Sequence, residues 1–156
     1  MTRGGAARLA RKAHNLEVAG SNPAPATNLM TKSTIGYRIL DYDGEVFKTL
    51  FHGLNGSRKL KTGRWLKAER KLVSDGTSNK RYESGFHILP SMLDCMIYAR
   101  KFRHFQNRVL VKIKYRGGRP KEHSRHPVIL ADEMLIPHDA YFENLSVCLN
   151  YDKRQI

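Results

Sequence analysis

Apolar and polar positions alternate from Ile35 onward. Ile35, Tyr37 and Ile39 stand on one side of an extended segment, Asp43-Gly44 supplies hairpin turn chemistry, and Val46, Phe47, Leu50 and Phe51 follow. The pattern predicts a β-hairpin over residues 35–52. The Gly- and Lys-rich stretch 53–63 reads as loop. Residues 64–73 fit two periods. Trp65, Ala68 and Leu72 suit a helix face, whereas Trp65, Lys67, Glu69, Lys71 and Val73 would form one side of a strand. The turn residues Ser74-Asp75-Gly76 that close the stretch favour the strand.

A short strand is expected at 85–89, stopped by Pro90. Ser91 then takes the position of a helix N-cap, its hydroxyl accepting the Asp94 amide while the Asp94 carboxylate faces the positive helix end. Met92, Cys95, Met96, Ala99 and Phe102 recur at three-and-four spacing and predict one helix over 91–104. Val109, Val111, Ile113 and Tyr115 alternate with Leu110, Lys112, Lys114 and Arg116, the pattern of a strand with one buried and one largely basic face. A polar loop follows over 117–127, then a nearly continuous apolar strand at 128–136, interrupted by Asp132-Glu133. The tail at 141–149 has room for one more short strand. These elements predict an α+β fold: a mostly antiparallel sheet of about five strands with one main helix near 91–104. The expected organisation is a single domain over 30–149 with a frayed tail at 150–156, and the chain contains no internal repeat.

Residues 1–29 follow none of these periods. They are Ala-rich, carry Arg3, Arg8, Arg11 and Lys12 against Glu17 alone, and read as a disordered leader. An Arg-rich, acid-poor leader fits a transit peptide. A second reading is that the segment is not native protein. Gly20-Ser21-Asn22-Pro23 can be encoded by GGTTCGAATCC, which resembles the T-loop of a transfer-RNA gene. Ala19-Gly20 and Pro23-Ala24 can then supply the paired stem, and Ala26-Thr27-Asn28 can supply a terminal CCA. On that expectation translation starts at Met30, and the gene lies at the edge of an integrated mobile element.

Composition sharpens this picture. With 40% apolar and 27% charged residues the chain has a globular composition, and 156 residues exclude a large multidomain enzyme. Cys95 and Cys148 are too few for a disulfide framework and read as reduced thiols, which with the lack of a spanning apolar run leads to a cytoplasmic expectation. Lys and Arg number 28 against 14 Asp and Glu, a net +14. Without the leader's four basic residues and one acid, 24 face 13, a net +11. The basic character therefore belongs to the domain. Side chains two apart on a strand share a face, so Lys112, Lys114 and Arg116 form a stripe that the next loop extends with Arg119, Lys121 and Arg125. Such a surface attracts phosphates and releases counterions on binding, which points to nucleic acid or another polyanion. Tyr115, Trp65 and Tyr82 are candidate stacking residues. Gly117-Gly118-Arg119-Pro120-Lys121 reads as an anion-holding turn. No zinc-finger spacing or helix-turn-helix pattern is present, so base-specific readout is not expected, and neither is a metal site at His123 and His126 on their Arg-rich loop.

Two resemblances bear on function. His52-Gly53, Tyr98 on the predicted helix and Glu133 on a late strand resemble the His, Tyr, Glu order of ADP-ribosyltransferases. That resemblance implies that His52 holds the ribose of a nicotinamide dinucleotide, Tyr98 stacks on nicotinamide and Glu133 orients the attacked sugar. It departs from the family in having no threonine after Gly53. No other cofactor is implied. The run from Gly85-Phe86-His87 through the helix, the basic strand and Arg119-Pro120-Lys121 resembles small uncharacterised proteins of phages and prophages. The expectation is a phage-like basic protein that binds nucleic acid. The alternatives are the transferase and a host-directed module whose basic face docks on an acidic protein. The nucleotide sequence checks the leader: codons 19–28 that cannot pair as a T-stem would leave residues 1–29 as genuine protein.

Overall fold

The computed structural model describes residues 32–50, 58–75 and 79–152. The chain divides after Met30, and the fold below is that of the unit Thr31–Ile156. Its elements in chain order are β1 (Thr34–Tyr42), β2 (Phe47–Lys48), β3 (Lys59–Leu60), β4 (Trp65–Lys67), β5 (Leu72–Ser74), β6 (Arg81–Glu83), β7 (Phe86–Ile88), α1 (Met92–Ala99), β8 (Arg108–Arg116), β9 (Arg119–Pro120), β10 (Ile129–Ala131), β11 (Glu133–Leu135), β12 (Phe142–Asn144) and α2 (Leu145–Asp152). None of the described helices is long and apolar enough to cross a membrane.

This corrects the expected α+β class, because the fold is largely β. The main sheet runs in the order β3-β2-β1-β8-β11-β4 with β12 also on β8, and every pairing in it is antiparallel. Its end strands β3 and β4 are separated by only residues 61–64, so the sheet curls until it is nearly closed like a barrel. Two smaller sheets, β7-β10-β9 and the hairpin β5-β6, complete it. Three departures from the expected elements accompany it, the first two toward β and the third adding a helix. The apolar run 128–136 is two strands, since at Asp132 the chain leaves one sheet (β10) and enters another (β11). The helix ends at Ala99, where Lys101 and Phe102 turn back to the Tyr98 and Ala99 carbonyls in tight i→i+3 bonds. The tail adds a helix after its strand, because Leu145 and Cys148 both find buried positions.

Other elements fall as the pattern anticipated. β1 and β2 form the hairpin with Gly44 at φ +98°, and the Asp94 amide donates to Ser91 Oγ at 3.1 Å at the start of α1. On β8, Val109, Val111, Ile113 and Tyr115 enter the core, while Lys112 and Lys114 are exposed. The core has two layers. Leu40, Phe47, Leu60, Leu66, Met134 and Ile136 fill the barrel with the inner face of β8. Ile39, Leu89, Cys95, Ala99, Leu110 and Leu145 form a second layer under the helices.

Register decides which face of β1 is which. Residues paired across an antiparallel ladder share a face. Gly36 pairs with Ile113, Arg38 with Val111 and Leu40 with Val109, so these three face inward. The alternation Ile35, Tyr37, Ile39 lies on the opposite face, where Ile39 is buried in the second layer, Tyr37 packs partly against that layer and Ile35 is 53% exposed. Gly36 is the reason this register fits: a Cβ there would collide with the Ile88 side chain and crowd the Tyr115 ring. Gly36→Ala is therefore expected to lower the midpoint of denaturant unfolding, with a loss of roughly 1–3 kcal/mol through overpacking. An unchanged midpoint would mean the inner face has slack.

Candidate functional site

The six basic residues of the expected anion surface separate into two sets of three. Lys112, Lys114 and Arg125 are exposed and form no ion pair among the described residues. The other three are engaged by the protein. The Arg116 guanidinium sits 3.8 Å from the Trp65 ring centre and 3.9 Å from the Glu133 carboxylate. Arg119 donates to Asp132 at 2.8 Å and to the Glu83 and Ser84 carbonyls at 3.2 and 3.0 Å. Lys121 lies 2.9 Å from Asp75 and 4.5 Å from the centre of the Tyr82 ring, and the two partners of that ion pair are only 13% and 14% exposed. A phosphate does not reach such a pair without breaking it. The stacking candidates are covered in the same way: Tyr115 is in the core, Trp65 lies under Arg116, and Tyr82 lies under Lys121.

The turn at 117–121 does hold an anion, and it is the chain's own. Gly117, at φ +61°, passes so close to the Asp132 carboxylate that any side chain there would collide with it. Asp132 receives Arg119 from that turn and Arg70 from the segment between β4 and β5, and its amide donates to the Arg116 carbonyl at 3.1 Å. Burial works to raise the Asp132 pKa, but the hydrogen bonds from Arg70 and Arg119 outweigh it and hold the carboxyl below its usual range. This residue stands where the chain passes from the sheet of β10 to that of β11. The groove beside it is lined by Lys67, Arg70, Arg116, Asp132 and Glu133, so its cations and carboxylates largely answer one another.

A small cavity lies against the second core layer. Arg38, Ile39, Leu50, His87, Leu89, Tyr98 and Val128 line a space of about 30 Å³, room for a water molecule or two. Arg38 Nη1 donates to the His87 carbonyl at 3.2 Å, and its guanidinium stands 5.2 Å from the Phe86 ring centre. His87 Nε2 is 3.1 Å from the Tyr82 hydroxyl. Burial, with the positive charges of Arg38 and Lys121, pushes the His87 pKa down to about 4, so the imidazole is neutral at pH 7. Burial also raises the Tyr98 phenol and lowers Arg38 to about 10, still charged at neutral pH.

Of the transferase-like residues, the two that are described line different hollows. Tyr98 lines the cavity with Arg38 and His87, Glu133 lines the groove with Lys67 and Arg116, and His52 lies outside the described residues. Arg38 escaped the sequence reading altogether. The available signal was its position between Gly36 and Leu40, two apart from each on what proves to be the inner face. Comparisons with protein-family models, curated proteins and solved structures found no match.

His87 gives the domain an acid sensitivity. Its folded pKa of about 4 is below the ordinary 6.5, so between these values the unfolded chain binds a proton that the folded chain refuses. Stability is expected to fall as pH drops from 6.5 through 4, by at most about 3 kcal/mol from this residue. Urea unfolding of the natural protein and His87→Gln across that range checks it: equal slopes with pH would assign the acid sensitivity to other groups.

Proposed function

We propose that the domain binds an anionic macromolecule, nucleic acid, through the outer face of β8, without reading base identity. The observation that carries this reading is the pair Lys112 and Lys114. They stand two apart on one face of a rigid central strand, exposed and without an acidic partner among the described residues. Tyr37 and Ile35 lie beside them on β1, in register with Lys112 and Lys114 respectively, so the charges are set on a partly apolar floor. Arg125 is a further exposed cation, and the net +11 over residues 30–156 adds long-range attraction. Because Arg116, Arg119 and Lys121 are already engaged, the contact surface is narrower than the basic stretch in the sequence. A origin in a phage-like mobile element belongs to this proposal, on the strength of the resemblance around Gly85-Phe86-His87.

Gel retardation of RNA and DNA duplexes over a salt series tests the reading. Affinity should fall steeply with salt, and the double variant Lys112→Gln with Lys114→Gln should reduce the logarithmic salt slope by about 2, near 0.9 for each lost phosphate contact. Arg119→Gln should act instead through stability. If neither nucleic acid is retarded at low salt, the reading fails, and an acidic protein partner takes its place.

A further inference from the structure

The strand registers line up one row of side chains across the open side of the main sheet. Lys114 of β8 pairs with Ile35 of β1 on one edge and with Leu135 of β11 on the other, and Leu135 pairs in turn with Trp65 of β4. Residues paired across a ladder share a face, so Ile35, Lys114, Leu135 and Trp65 stand side by side over four strands, roughly 14 Å along the sheet at the usual strand spacing. That face points away from the barrel, because the alternate residues Ile113, Met134 and Leu66 are the buried ones. Ile35 and Lys114 are exposed, while Leu135 and Trp65 are half-buried. None of the three apolar side chains packs with either core layer among the described residues. The next row is Arg116, Glu133 and Lys67. There the Arg116 guanidinium lies 3.8 Å from the Trp65 ring centre, with the Glu133 carboxylate 3.9 Å away to hold it. Stacked this way, Arg116 is withdrawn from phosphate contact but forms with the indole a flat cationic pair at the end of the row.

We infer that the partner on this face is a single-stranded nucleic acid, its phosphates over Lys112 and Lys114 and its bases against Ile35, Leu135 and the stacked pair of Arg116 and Trp65. This rests on the nucleic-acid reading above and narrows it. A duplex offers a sheet face mainly phosphates, since its bases are stacked on one another with their edges in the grooves, and a row of apolar side chains would find no partner there. A single strand turns its bases outward, and every base has a face that packs on an aromatic ring or a guanidinium plane whatever its identity. Charged and apolar groups are interleaved here as such a strand requires, with Lys114 inside the apolar row and Lys112 two residues along the same face of β8. Charge favours it as well: Glu133, the one acid in the two rows, is answered by Arg116, and Lys67 adds an exposed cation beside it.

Trp65 is the single tryptophan of the chain, so its fluorescence reads this face alone. The test titrates the full chain with oligothymidylate, with oligouridylate and with the duplex of oligothymidylate and oligoadenylate, all of equal length and at one low salt concentration. At least one of the two single strands should quench Trp65 in a saturable manner and bind about tenfold more tightly than the duplex, the worth of one stacked base. Trp65→Leu should lower single-strand affinity, read by gel retardation, by about tenfold and leave duplex retardation as it was. Ile35→Gln, at the far end of the row, should act in the same direction; its side chain is already 53% exposed, so this variant keeps the fold, which a thermal melt checks. Equal affinity for strand and duplex, or single-strand binding that leaves both the Trp65 fluorescence and the Ile35→Gln affinity unmoved, would overturn the inference while the phosphate-binding role of β8 stood. Retardation of neither strand nor duplex would instead remove the nucleic-acid reading on which it rests.

Discussion

Everything in this domain is referred to β8. One of its edges carries β1 over eight paired positions, and the other carries β12 at its start and β11 at its end. A strand with both edges occupied has no freedom to slip, since a one-residue shift would send Val109, Val111, Ile113 and Tyr115 to the outside and two lysines into the core. Fixing β8 fixes its neighbours in turn. Gly36 must meet Ile113, Arg38 must meet Val111, and Leu110 must lie under the helices with Ile39. The barrel interior and the helix layer are thus the two faces of one strand pair.

That constraint also governs the electrostatics. The sequence places basic residues in a continuous stretch, but the fold gives neighbouring cations different environments. Lys112 and Lys114 project from the middle of β8, where the outer face is open. Arg116, Arg119 and Lys121 lie at the end of the strand and beyond it, where the chain folds back on Glu133, Asp132 and Asp75. Individual ion pairs that remain partly exposed contribute little to stability. At Asp132 two of them act together, Arg119 from the turn after β8 and Arg70 from the segment after β4, at the point where the chain changes sheets. Arg38 is the exception, an arginine directed inward by register with no acid opposite it.

The readable elements were those whose signal is local. The Asp43-Gly44 turn, the Ser91 cap and the alternation of β8 each depend on residues within a few positions of one another, and each forms as the pattern anticipates. The main errors arose where remote partners decide. The segment 128–136 looks like one strand because its apolar run is nearly continuous, and only the crossing from the β7 sheet to the β8 sheet makes it two. Ile35, Tyr37 and Ile39 look like one apolar face by period, yet the helices cover only its Ile39 end, and Ile35 is left exposed beside Lys114. Of the six basic residues expected at the surface, three are drawn to carboxylates far away in sequence, as with Arg119 to Asp132 and Lys121 to Asp75.

The amino-acid sequence by itself determined the basic character of the domain, the position of its central strand and first helix, and the turns that start and stop them. These follow from charge, period and capping, which act over a few residues. The nearly closed sheet, the inward face of β1 and the division of the cations into free and engaged were decided by tertiary structure alone. A strand's period gives two faces but does not say which one is inside; that choice belongs to the partner strand. Here β8 makes it, turning Gly36 and Arg38 inward and thereby creating the cavity that the sequence did not announce.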